Sequence, residues 1–412
     1  MQINTIRLLI CCLFLILAEH VSAQHPGGVP AESFNATQAS QPSLKWYDKM
    51  SVSGYVQLRY NRLLETNPDL GCEQCDKSWG EGGGFFLRRV RLKFSGQLGE
   101  HVYFYIQPDF ASSISSNLNV GQLRDAFFDV SIDKKREYRF RIGQSKIPYG
   151  FENMQSSQNR LPLDRADPTN AIKNERDAGV FFMWAPEKIR KRFSMLVRDG
   201  YKGSGDYGVF AFGAFTGQNA NSPELNNSPH IVARVTYPFE IGTQIIEPGI
   251  QAYTGKYQIP SGNVSKGVKH VSDLNYQDER VGGTFVLYPR PLGIQAEYNI
   301  GRGPQFNKLT DSIELKSVTG GYATLCYMIR AKNQLIYPFT RVQYYEGGKK
   351  HEKDARSYKV NELELGIEWM PVKEFELVVM YTISSRKYED FVLRDNFQQG
   401  NLLRIQAQLN IR

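Results

Sequence analysis

Once the first two dozen residues are passed, this 412-residue chain has no long hydrophobic run. A membrane-spanning helix needs about 20 consecutive apolar residues, so a helical membrane protein is excluded. Cysteine and histidine are both scarce, at five and six residues, which leaves little material for a metal centre. There is no HExxH, no GxSxG and no glycine-rich phosphate loop between a strand and a helix. No catalytic residue, metal site or cofactor is therefore assigned. No Pro/Ser linker or composition shift divides the chain after its N-terminal region, although its length alone would allow two or three soluble domains.

Residues 1–23 read as an export signal. Arg7 supplies the positive start, Leu8 to Ala18 the apolar centre, and Val21-Ser22-Ala23 the small-residue cleavage pattern. Cys11 and Cys12 lie inside it. Its removal takes away Arg7 and Glu19, one charge of each sign, so the net charge of +8 is kept. Residues 24–50 are rich in Pro, Ser, Ala and Gln and are expected to be a flexible lead-in to a folded body at 51–412. Cys72 and Cys75 have CxxC spacing without a second pair, nearby histidines or a βαβ context. In an exported loop the expected reading is a local disulfide. Cys326 falls in a strand pattern as an isolated thiol, either buried or lipid-facing.

What the chain does have is aromatics and turns: 23 Tyr, 24 Phe and 36 Gly. Phe85 to Phe94 shows the governing pattern. Phe86, Val90, Leu92 and Phe94 share one parity, with Arg88 as an exception, and Arg89, Arg91 and Lys93 share the other. Strand side chains alternate between faces, so one face is oily and the other cationic. Three cations without an intervening acid suit a wall facing water that must attract anions.

The same alternation recurs along the chain. Expected strands lie near 51–61, 85–96, 101–110, 121–132, 138–147, 177–184, 207–216, 230–239, 244–255, 276–288, 292–301, 315–330, 334–345, 359–370, 374–385 and 401–411. Short joints alternate with long polar gaps, among them 148–176, 256–275, 302–314, 346–358 and 386–400. One joint, 185–206, breaks the rhythm by being long and basic, with room for a helix or an extra strand. Sorting loop lengths by side is a property of outer-membrane barrels. The expected fold is all-β, a transmembrane antiparallel β-barrel of about 16 strands with short periplasmic turns and long outer loops, wide enough for an aqueous bore.

On that fold Arg59, Arg89, Arg91, Lys93, Arg139 and Arg141 face the lumen, because a charge on the lipid face costs about 2–4 kcal/mol at midplane. Guanidinium forks match phosphate or carboxylate oxygens. The same arginines could instead pair with inward acids to hold the wall together, and Asp109, Asp125 and Asp129 are available. Strands 2 and 5 nonetheless bring five cations and no inward acid. The 148–176 loop, with Tyr149, Phe151, Arg160 and Arg165, is too apolar and too structured for a solvent-waving loop of its length. It is expected to fold into the barrel and set a constriction.

Gly54-Tyr55-Val56-Gln57-Leu58-Arg59-Tyr60-Asn61, the Phe86 to Gly96 strand, Tyr105-Ile106-Gln107-Pro108-Asp109-Phe110, and Arg141 to Gly150 together resemble the phosphate-selective porin O and P family. The resemblance is sharp over about 51–185. It implies a sixteen-stranded homotrimeric barrel with an arginine ladder and a folded-in third loop. By position the ladder comprises Arg59, Arg89, Arg91, Arg139 and Arg141, with Lys146 just before the loop. Phosphate or polyphosphate as the solute is implied by the resemblance, while a basic lumen by itself says anion. The expected partners are small phosphate-like anions and the lipid bilayer, with no nucleic acid. Two alternatives remain open: a non-selective porin, and a closed-lumen barrel that binds a glycan or another partner.

Overall fold

The computed structural model describes residues 49–63, 84–114, 117–171 and 176–411. The expected export signal and the Cys72–Cys75 pair lie outside the described residues. The wall strands are β1 (Met50–Leu63), β2 (Gly84–Leu98), β3 (Val102–Ile114), β4 (Asn117–Ser131), β5 (Tyr138–Lys146), β6 (Arg176–Trp184), β7 (Phe210–Phe215) and β8 (His230–Thr236). They continue as β9 (Gln244–Gln258), β10 (Asn275–Leu287), β11 (Leu292–Asn307), β12 (Ser312–Tyr327), β13 (Gln334–Gly348), β14 (Ser357–Val372), β15 (Phe375–Glu389) and β16 (Phe397–Ile411). Two further three-residue stubs, Phe239–Ile241 and Ile329–Ala331, pair only beside their own turns.

Every strand pairs antiparallel with its sequence neighbours, and β1 pairs with β16 from Gly54↔Ile411 to Leu63↔Leu402. That last pairing closes the sheet into a sixteen-strand barrel. Closure removes the unpaired edges that an open sheet would leave. Outward positions carry Val52, Ile106, Phe128, Phe212, Ile250, Val281, Ile300, Val342, Ile367 and Leu409, all exposed. The alternate positions carry Gln57, Arg59, Arg341, Arg386, Arg404 and Gln408, all buried inside. No helix among the described residues is long and apolar enough to cross a membrane.

The oily face of β2 differs from the simple alternation. Opposite β1 the register shifts between Gln57 and Leu58: Gln57 pairs with Arg89 and Leu58 with Leu87, so Arg88 is the extra residue of a β-bulge. The bulge reverses parity beyond it. Phe85 and Leu87 point outward, and Phe86 lies opposite the bore-facing Arg59. Arg88 turns inward, where it meets Asp164. The apparent charge on a lipid face is thereby removed.

Strand ends also depart from the sequence reading. The expected long loop at 302–314 is mostly a tall hairpin, since β11 runs to Asn307 and β12 starts at Ser312. β13 and β15 likewise continue to Gly348 and Glu389. Above a bilayer both faces are wet, so the oily alternation stops while the backbone ladder goes on. In the other direction, β7 and β8 are short. The joint that breaks the rhythm holds a helix, Glu187–Arg198. Its Ile189, Phe193 and Leu196 recur at helical spacing and are buried against Ala185, Ile245, Val286 and Tyr288. Cys326, a free thiol, is buried among Leu161, Leu163, Tyr337 and Phe339 rather than facing lipid.

Candidate functional site: a bore lined with paired charges

Residues 147–171 leave the outer end of β5 and run among the bore-facing side chains. Gly150 starts this course with φ 73°. That backbone conformation favours glycine, and a Cβ there would also sit 2.8 Å from Glu297 Oε1. Tyr149 donates to Asn299 Oδ1 at 2.7 Å, and Phe151 opens a one-turn helix, α1 (Phe151–Met154), while packing near Tyr288. Lys146 donates to the carbonyls of Met154 and Gln155 at 3.0 and 2.7 Å. It braces the loop from below.

Three carboxylates of this segment meet wall cations. Asp164 accepts from Arg59 at 2.7 Å, Arg404 at 3.0 Å and Arg88 at 3.1 Å. Glu152 accepts from Arg341 at 2.7 Å. Asp167, opening the second short helix α2 (Asp167–Asn170), is held by Lys349 at 2.5 Å and Arg386 at 2.8 Å. Burial alone would push the Asp164 carboxyl up. The guanidinium groups of Arg59, Arg88 and Arg404 overcome that and hold it well below the usual carboxylate range. Asp167 is lowered in the same way by Arg386 and Lys349 against its burial.

The remaining sequence-derived residues fall into two kinds. Arg91 donates to Asp109 Oδ2 at 2.7 Å and to the Tyr55 hydroxyl at 2.9 Å. Arg141 grips Asp129 with two bonds of 2.8 and 3.0 Å while its guanidinium lies 4.0 Å from the Phe127 ring centroid. Arg139 meets Asp206 of the β6–β7 connection at 2.7 Å. These arginines are compensated by acids from neighbouring elements. Lys93 donates to Gln158 Oε1 at 2.7 Å, and Arg165 to the Asn153 carbonyl at 3.4 Å. Arg160 is buried in the loop.

Arg89 differs. Its one hydrogen bond among the described residues is to Gln57 Oε1, at 2.8 Å, and no carboxylate pairs with it. Its neighbour Arg91 is held by Asp109 and Arg88 by Asp164. Arg89 is thus a bore-facing cation set among arginines that acids hold, while no carboxylate among the described residues pairs with it. Sequence reasoning found this residue but missed Asp164, Glu152 and Asp167, whose partners come from β1, β2, β13, β15 and β16 and from Lys349 just past β13. It also passed over Arg341 and Arg386, which lie at bore-facing positions of late strands whose alternation alone would place them inside.

A closed sixteen-strand wall with an oily outside, a charged inside and a loop lodged within it defines an outer-membrane porin. The sequence pattern of the family phosphate-selective porin O and P matches residues 69–411, and the chain belongs to that family. Its fold is shared by several solved structures. The outer membrane channel DcaP of Acinetobacter baumannii is 16% identical with a TM-score of 0.55, covering 88% of this chain and 96% of that one. Salmonella typhi OmpF is 12% identical with a TM-score of 0.56, covering 88% and 97%. An anion-selective porin from Comamonas acidovorans is 10% identical with a TM-score of 0.52, covering 88% and 98%. No curated protein matches the chain by sequence.

Proposed function

We propose that this porin passes small anions by passive diffusion, with phosphate-like oxyanions as the preferred solutes, and that Arg89 is where they pause. The observation that carries the reading is the bore-facing guanidinium of Arg89, which bonds Gln57 and which no carboxylate pairs with among the described residues. An oxyanion entering there replaces part of its hydration shell with guanidinium N–H donors. The compensated neighbours keep the site shallow enough for the ion to leave, as conduction demands. Family membership adds phosphate as the solute class, and the loop carrying Asp164, Arg160 and Arg165 serves as the constriction. An N-terminal export signal, residence as a homotrimer and a Cys72–Cys75 disulfide belong to the same reading.

The deciding experiment is the reversal potential of the purified protein in planar bilayers under a KCl gradient, with phosphate added as a competitor of chloride current. Anion-favouring potentials and phosphate block support the reading, while cation preference removes it. A second reading, a closed-lumen barrel that binds a partner, draws on the crowding of the bore by the inserted loop. The absence of stepwise conductance would favour it.

A further inference from the structure

β6 and β7 are hydrogen-bonded neighbours, with Trp184 opposite Phe210. A tight turn would join them, yet residues 185–209 intervene. This connection holds the third helix, α3 (Glu187–Arg198), followed by an irregular stretch. Ordering such a stretch costs about 1–2 kcal/mol per residue in backbone entropy. A segment ordered at that cost and not needed for closure calls for a role.

Its course gives one. Counted either way round the closed sheet, β6 and β14 are eight strands apart, so they face each other across the bore. Lys202, in the β6–β7 connection, nevertheless ion-pairs with Glu368 near the periplasmic end of β14. Its ammonium also lies 4.8 Å from the ring centroid of Tyr337 on β13, and Tyr337 donates to the Gly200 carbonyl at 2.7 Å. The returning half is fastened to the near wall through Asp206, which Arg139 and Arg190 hold at 2.7 and 2.9 Å. At its far point the connection meets the outer loop, since Gln155 Nε2 donates to the Lys202 carbonyl at 2.7 Å. The segment therefore spans the periplasmic side of the bore from one wall to the other.

We propose that this connection is a second constriction, on the periplasmic side, and that the Lys202–Glu368 pair is the tether holding it across the lumen. The size limit for solutes is then set at two levels, and Lys202 and Glu368 are specificity-determining residues although neither contacts Arg89. The claim stands apart from anion preference, because it concerns cross-section and applies to uncharged solutes.

The test uses the full-length protein, purified as a folded barrel, in two assays: single-channel conductance, and liposome swelling with uncharged sugars of increasing size. Lys202→Ala and Glu368→Ala are each expected to raise conductance roughly twofold and to admit sugars that the parent protein excludes, because pore dimensions govern permeation. The charge-swapped double variant, Lys202→Glu with Glu368→Lys, re-forms the pair and is expected to restore both parent readouts. Where an alanine variant fails to insert, Glu368→Gln keeps the side-chain shape and is read in the same assays. Conductance and sugar limit unchanged in the variants that insert would overturn the proposal. A changed anion preference with an unchanged sugar limit would likewise overturn it, since the pair would then act through charge and not through cross-section.

Discussion

Arg59 and Asp164 are 105 residues apart in sequence and joined by a 2.7 Å ion pair inside the barrel, where Arg404 and Arg88 converge on the same carboxylate. One loop acid thus neutralises cations from β1, β2 and β16 at the seam where the barrel closes. Asp164→Asn leaves these guanidinium groups without that carboxylate. Breaking a buried pair costs on the order of 3 kcal/mol, so urea unfolding of the detergent-solubilised barrel should show a loss of that size. Channel recordings should also become noisier as the loop loosens.

The same carboxylate sets an acid response. Its folded pKa lies well below the unfolded value of about 3.9. The ionised form therefore contributes stability that is fully present above about pH 4 and is lost as pH falls further through the folded pKa. Conductance traces are expected to stay steady from neutral pH down to about pH 4 and to become unstable only below it. Asp164→Asn should remove that acid transition. A transition that persisted in the variant would assign it to another group.

Arg89 and Arg91 are two residues apart on one strand face, yet their variants should differ. Arg91 is matched by Asp109 and Arg89 by no carboxylate among the described residues. At about 7 Å in a water-filled bore, one unit charge is worth about 0.6 kcal/mol, or roughly a threefold change in permeability ratio. Arg89→Ala is expected to lower the anion-to-cation permeability ratio by about that factor. Arg91→Ala should change it less and cost more stability, because it strands Asp109 in the wall. Equal effects on selectivity would place the attraction elsewhere.

Phe193 anchors α3 against Ile245, Val286 and Tyr288. Phe193→Ala removes a buried ring, for which losses of about 3–5 kcal/mol are typical. Because α3 is an insertion and not a wall strand, the barrel should still assemble. Proteolysis should cut the variant first within 185–209, and cleavage starting in the wall turns would contradict this placement.

Alternation of oily and polar residues was enough to specify the barrel, because a strand's period of two sorts side chains between lipid and water with no need of distant contacts. It also put Arg59, Arg89, Arg91, Arg139 and Arg141 on the bore side. Arg88 shows where the pattern ends: its place depends on a bulge, and a bulge arises from register with a partner strand. The ends of β11 and β12 show another limit, since a hydrogen-bonded ladder outlasts the hydrophobic signal once both faces are wet. Whether a bore arginine is free or matched was settled only by folding. Asp164 reaches Arg59, and Lys202 reaches Glu368, across distances in sequence that no local pattern records, and closing the sheet is what brings such charges within 3 Å or so of one another.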